Sequence, residues 1–286
     1  MRVTVLSHCA VDAVHLQGAV HEQPGGDACY SGLTAREFGA DVCLQTRFGP
    51  DFPAAYLADP RIETEGAESG LPTTRFQIHI SGVKRDLYLL NECDRVDVRR
   101  VPQDGVIITP IYHELDAGCV ADQEGYVLLN PQGMLRSAGE GGLIGIVPAE
   151  TGLEGADALK ANPAEISALT GQEGDAGLRA LNKMGVGTVI RTNGKNIDMY
   201  HEGMVYSIRL PNKEIYDTTG LGAILCGAFV CTMIRERDTL WAFCFAGGAV
   251  QAALDTKSLG LLKIPRRGAV QTNASYFYNL VEYRKA

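Results

Sequence analysis

A strand–helix alternation, broken once by a hairpin with no helix inside it, limits the fold of this chain more than any other feature. Residues 3–6, 41–46, 106–109, 127–129, 143–147 and 188–191 are short aliphatic and β-branched runs. Runs of that length without polar alternation read as strands buried on both faces. Helical stretches fill the intervals. Residues 27–38 are closed by Gly39, a short helix starts after Asn162, and 175–184 is ended by Gly185. After Gly222 the pattern turns helical, with Leu225, Phe229 and Met233 four residues apart, and a last helix covers 241–254. The interruption lies at 74–80 and 84–90, two β-rich runs around Ser81-Gly82-Val83. Asn193-Gly194 is a tight-turn signal that adds an antiparallel extension over 197–200 and 204–208. The expected architecture is a single α/β domain over 1–286: helices on a central, mostly parallel sheet, and a small projecting β-sheet.

Charge and composition narrow the function. The chain of 286 residues carries a net charge of −8, and its basic clusters are pairs, Arg99-Arg100 and Arg266-Arg267. A nucleic-acid surface needs a concentrated basic face, so no nucleic-acid partner is expected. The longest apolar stretch, 241–254, is interrupted by glycines and falls short of the roughly 20 residues of a membrane span. Residues 1–6 are too short for a signal-peptide core, so a cytoplasmic protein with no membrane partner is expected. None of the eight cysteines forms a C-x-x-C pair, and several stand in apolar runs, which suits small buried side chains in a reducing compartment. His113-Glu114 has no third metal ligand at a usable spacing and reads as a loop feature.

The segment richest in chemistry is Asp217-Thr218-Thr219-Gly220-Leu221-Gly222-Ala223, at the start of a helix. Two glycines there let backbone N–H groups approach an anion at the positive end of the helix, although taken alone they are better explained by a tight loop-to-helix turn. Gly25-Gly26-Asp27 likewise precedes a helix, Asp12 follows the first strand, and Asn162-Pro163-Ala164-Glu165 has the spacing of a capping box.

Together these segments resemble ribokinase-type (PfkB-family) carbohydrate and nucleoside kinases, in the right order over roughly residues 2–255. Asp217 to Ala223 is similar to the family's D-T-T-G-A-G-D signature, with Leu221 at its usual alanine. The resemblance implies that Gly220, Leu221 and Gly222 form an anion hole and that Ala223 stands where the family has its catalytic aspartate. It also implies a substrate site from Asp12, Gly25, Gly26 and Asp27, the last in place of an asparagine. Asn130-Pro131-Gln132-Gly133 resembles the D-P-Q-G segment of archaeal members, with Asn130 in place of the acid. Asn162 and Glu165 match the N-x-x-E motif that arranges Mg2+ and phosphate; cap and motif can hold together. Thr192 and Gly194 match a nucleotide loop whose second glycine is missing, with Thr219 and the small-residue helix at Gly247 beside it.

The implied fold is the ribokinase-like three-layer α/β/α sandwich with a small β-sheet lid, from about 13–24 and 72–95. The implied ligands are ATP with Mg2+ and a sugar, polyol or nucleoside, and the lid implies a homodimer. The alternating Phe76, Ile78 and Ile80 suit a face covering the site or a partner's lid, while Arg75, Lys84 and Arg85 read as solvated charges, one of them within reach of a phosphate. Alanine accepts no proton, so three readings stand: a kinase with weak catalysis through another base or a water, a pseudokinase that binds a nucleotide or polyol as a sensor, and an engineered aspartate-to-alanine trap.

Overall fold

A computed structural model describes residues 1–81, 84–211 and 217–286. Gly82, Val83 and Tyr216, and the side chains of Ser81 and Lys84, lie outside the described residues. In chain order the strands are β1 (Arg2–Leu6), β2 (Ala10–Leu16), β3 (Ala19–Gly25), β4 (Asp41–Gln45), β5 (Ile62–Glu63), β6 (Thr74–Ser81), β7 (Lys84–Asn91), β8 (Gly105–Ile108), β9 (Tyr126–Leu129), β10 (Arg136–Ala138), β11 (Ile144–Ile146), β12 (Ala158–Ala161), β13 (Thr188–Asn193), β14 (Asn196–His201), β15 (Met204–Arg209) and β16 (Glu282–Lys285). The helices are α1 (Asp27–Glu37), α2 (Pro163–Thr170), α3 (Gly174–Lys183), α4 (Leu221–Glu236), α5 (Thr239–Asp255) and α6 (Arg267–Leu280).

Ten strands form the central sheet in the order β16-β15-β14-β13-β12-β9-β8-β1-β4-β5. From β13 through β5 every neighbouring pair is parallel; the β13–β16 side is antiparallel. Strand alternation sorts the apolar side chains into two layers. Val3, Val5, Ile107 and Leu128 face the core shared with α1, α4, α5 and α6. Leu6, Val106, Ile108, Val127 and Leu129 face the core under α2 and α3, which hold Ile166, Leu178 and Leu181. The result is a three-layer α/β/α sandwich.

The second sheet, β3-β2-β6-β7, has four strands. Asp12 pairs with Phe76 and Val14 with Ile78, so these share a face, and Phe76 and Ile78 are buried. The hairpin read at 74–90 is therefore present, partnered by 10–25.

One strand assignment is corrected. Residues 143–147 do not join the central sheet: β11 pairs only with β10 in a separate two-stranded sheet. The place between β9 and β13 belongs to β12. Its sequence, Ala158-Leu159-Lys160-Ala161, hides because a lysine interrupts a four-residue apolar run.

All eight cysteines are buried and free. Glu114 is fully buried and accepts backbone N–H groups from His8 (3.0 Å), Ile111 (2.6 Å) and Tyr112 (2.7 Å), so His113-Glu114 is a loop clamp. Among the described residues no helix is long and apolar enough to cross a membrane.

Candidate active site

Parallel strands end on one side of a sheet, and ligands gather where those ends meet helix N-termini. The chain follows that rule. Asp12 lies in β2 just beyond β1, Thr109 follows β8, Asn130 follows β9 and Lys160 sits in β12, and Asp12 and Lys160 share a cavity with the start of α4. Between this edge and the second sheet is a cavity of about 620 Å³.

Most of the residues singled out from the sequence line it. Asp12, Gly26, Asp27, Asn162, Glu165, Thr192, Gly194, Thr219, Gly220, Leu221, Gly222 and Ala223 are all on its wall. Gly25 stands just behind, where a Cβ would collide with the Asp12 carboxylate. Asn130 is fully buried beneath Asp27 and is not on the wall. Gly247 is not brought to the cavity: it packs α5 against Ile208. Arg75 pairs with Glu22 and Asp51, whereas Arg85 reaches the wall. Phe76, Ile78 and Ile80 also line the cavity, so the apolar face of the second sheet covers it.

Gly220 caps α4 in the left-handed region, φ 76°, and a Cβ there would enter the Tyr30 ring. Only glycine meets both demands. A Cβ on Gly222 would come 3.0 Å from Lys160 Nζ. The first-turn N–H groups of α4, which have no partners within the helix, thus share their space with a lysine. Lys160 is 6% exposed and makes no hydrogen bond or ion pair with any described residue. The hydroxyl of Thr219 is also buried without a partner. An unpaired buried cation, an orphaned hydroxyl and a helix N-terminus in one corner are the donor set of an anion site.

The loop entering α4 is pinned from below. Lys263, 1% exposed, donates to Asp217 Oδ2, to the Asp217 carbonyl (3.2 Å) and to the Thr219 carbonyl (2.9 Å). Burial alone would raise the Asp217 carboxyl, but Lys263 and the Thr219 backbone N–H, 2.8 Å from Oδ1, hold it below the ordinary carboxylate range. Lys160 and Lys263 were not visible as functional in the sequence; an isolated lysine inside an apolar stretch was their one signal.

Two further carboxylates line the cavity, Asp12 from β2 and Asp27 from the start of α1. Asp12 is 4% exposed, with no hydrogen bond from a described residue. Burial pushes its carboxyl up to about 7, against the pull of Arg85. Asp27 Oδ2 accepts from Thr109 Oγ1 (2.6 Å), Gln132 Nε2 (2.5 Å) and Asn130 Nδ2 (3.4 Å). Arg136 stands behind, donating to Gln132 Oε1 at 3.2 Å. Burial raises the Asp27 carboxyl, with the Thr109 hydrogen bond, Arg136 and Lys160 opposing. The two departures at 27 and 130 therefore touch. A carboxylate and a carboxamide meet there, so the corner holds a buried acid at Asp27 beside the amide of Asn130.

Asn162 and Glu165 form the capping box, each side chain accepting the other's backbone N–H (2.9 and 2.7 Å). That uses Glu165 Oε2 and leaves Oε1 on a residue that lines the cavity. No group of three or more metal-binding side chains exists among the described residues.

No family model and no curated protein sequence matches the chain. Solved structures do. A pyrophosphate-dependent kinase in the ribokinase family, in its sulfate complex, superposes with a TM-score of 0.82 at 18% identity, covering 94% of this chain and 99% of the other. A pyrophosphate-dependent kinase of that family with a pyrophosphate analogue and myo-inositol gives 0.80 at 17%, covering 94% and 99%. Ribokinase of Arabidopsis thaliana with ribose and ATP gives 0.73 at 16%, covering 96% and 98%. At these identities the likeness establishes the ribokinase fold.

Proposed function

We propose that this chain is a small-molecule kinase of the ribokinase (PfkB) type, transferring a phosphoryl group from a phosphoanhydride to a hydroxyl of a sugar, polyol or nucleoside. One observation carries the reading: an unpaired buried lysine at a helix N-terminus shares a cavity with two buried carboxylates. Phosphoryl transfer is mostly positioning and charge stabilisation, and the corner offers both. Lys160 and the first-turn N–H groups of α4 would hold the transferred group's oxygens. Asp12 and Asp27, which line the same cavity, would accept hydrogen bonds from the acceptor's hydroxyls. The second sheet acts as a lid, its apolar face excluding water from the transfer. Pairing of two copies through the lid would use its outer side, where His15 stacks on His79 with 4.2 Å between ring centroids.

The donor is ATP in the first reading. Thr192 and Gly194 stand on one wall, and Ile197, Leu210, Val250 and Leu254 give an apolar slot for a base. Inorganic pyrophosphate is the second reading, favoured by the missing second glycine of the nucleotide loop and by the likeness to pyrophosphate-dependent kinases. A resident magnesium ion fits either: the cation keeps most of its waters and leans on donor phosphates, so the single Glu165 oxygen left by the cap is adequate. When bound, it would neutralise phosphate charge. The opposing reading is a binding protein without turnover, favoured by the methyl group at Ala223.

The test is a coupled assay of ADP or phosphate release with MgATP or magnesium pyrophosphate against a panel of sugars, inositols and nucleosides. Turnover above background with one acceptor class supports the kinase. Calorimetric binding with no product supports the sensor, and neither binding nor turnover refutes both.

A further inference from the structure

We propose that Asp27, at the N-terminus of α1, is the general base that takes the proton from the acceptor hydroxyl, in place of any residue on α4. This rests on the kinase reading above.

Among the described residues three carboxylates line the cavity: Asp12, Asp27 and Glu165. Glu165 is committed to its cap through Oε2. Asp12 lies toward the lid, where it feels Arg85. Asp27 is set against the start of α4 by its own helix. Ser31, one turn along α1, donates to the Ala223 carbonyl at 3.0 Å. Residues four apart lie on the same helix face, within about 6 Å of each other. The Cys226 thiol, one turn beyond Ala223, is pushed up to about 12 chiefly by burial, and the charges acting on it are those of Lys160, Asp27 and Glu165. Among the described residues Asp27 is thus the cavity carboxylate beside both the anion corner and Lys160 that no cap engages.

Its two oxygens are differently employed. Oδ2 takes all three hydrogen bonds, from Thr109, Gln132 and Asn130, while Oδ1 takes none from a described residue. One oxygen clamped and the other free is the arrangement a base needs: a fixed orientation with one open acceptor. Burial raises its proton affinity above that of an ordinary carboxylate. A carboxamide at this position would orient a hydroxyl but accept no proton.

The step balances. The acceptor hydroxyl gives its proton to Asp27 Oδ1. Its oxygen forms the new P–O bond, and the bond to the departing phosphate or ADP breaks, the leaving oxygen keeping the electron pair. Asp27 then releases the proton to solvent with product. The charged groups that set its titration are Arg136 and Lys160, which favour the carboxylate, and Glu114 and Asp12, which oppose it.

The experiment compares the unaltered chain, Asp27→Asn, Ala223→Asp and the double variant on whichever acceptor turns over. Asp27→Asn is isosteric, and thermal melting checks that it folds. The expected loss is about 10²–10⁴-fold in kcat. The acidic limb of the pH–kcat profile, present in the unaltered chain, disappears from the residual rate. Adding Ala223→Asp to Asp27→Asn restores turnover by putting a carboxylate back on α4. If Asp27→Asn keeps its kcat within a few-fold and its acidic limb, Asp27 is not the base, although the kinase stands. If the unaltered chain is silent while Ala223→Asp turns over, Asp27 does not serve, and the site is that of a kinase lacking only its base. Silence of all four proteins with both donors overturns the kinase reading and this proposal together.

Discussion

Asp12→Asn is expected to stabilise the unliganded protein far more at pH 8 than at pH 5. The carboxyl is raised from 3.8 to about 7: burial is the largest cause, Arg85 opposes it, and Asp217 and Asp27 add to it. The unfolded chain therefore gives up this proton first. Stability is fully retained below pH 3.8, falls as pH rises toward 7, and levels off above. At about 1.4 kcal/mol per pH unit the whole fall is about 4 kcal/mol, of which about 3 kcal/mol lies above pH 5. Asparagine has no charge to bury, so the variant lacks that fall. Its advantage over the unaltered chain should widen by about 3 kcal/mol between pH 5 and pH 8, or about 6–12 °C in melting temperature. Thermal and urea unfolding of both proteins at the two pH values, without ligand, reads it directly. An acceptor that stabilises the unaltered chain should stabilise the variant much less, because a hydrogen-bond acceptor for its hydroxyls has been halved. An offset that is the same at both pH values would refute the reasoning, since Asp12 would then be ionised in the fold at no cost.

Other substitutions test the remaining parts. Lys160→Met is expected to raise the melting temperature, by removing an unpaired buried charge, and to lower kcat by about 10²–10³-fold, as loss of a transition-state donor does. A stable variant with full activity would remove Lys160 from the anion site. Lys263→Met strands the buried Asp217 and should cost about 3–5 kcal/mol, read by urea unfolding. The Asp217 carboxyl is held low in the fold, so its contribution is present above pH 3.8 and lost on acidification through the folded value; the variant's acid unfolding should lack that component. Gly220→Ala forces alanine into a left-handed conformation against Tyr30 and should cost about 1–3 kcal/mol, most of it recovered by no cavity ligand.

The sequence exposed those parts of the fold that depend on local pattern. Apolar runs such as Val3 to Leu6 and the spacing of Leu225, Phe229 and Met233 mark strands and helices because period and burial go together. β12 escaped because Lys160 sits, buried, where a strand would carry an apolar residue. The terminal α6 and β16 were not read at all: Tyr276, Tyr278, Leu280 and Tyr283 are exposed, so α6 shows only a weak apolar stripe. Within the site, residues that carry their own spacing, such as Gly220-Leu221-Gly222 or Asn162 with Glu165, were found. Those defined by distant contact were not. Asp27 and Asn130 are 103 positions apart, and only their hydrogen bond shows that the two side chains meet. Lys263 and Asp217, 46 apart, are another such pair.

Phosphorus-31 NMR of the unaltered chain incubated with an acceptor and either MgATP or magnesium pyrophosphate tests the central claim most directly. The account predicts a growing phosphate monoester resonance, produced with alanine still at position 223 and abolished in Lys160→Met. Saturable binding of donor and acceptor with no monoester after prolonged incubation would contradict it and leave the cavity as a ligand sensor.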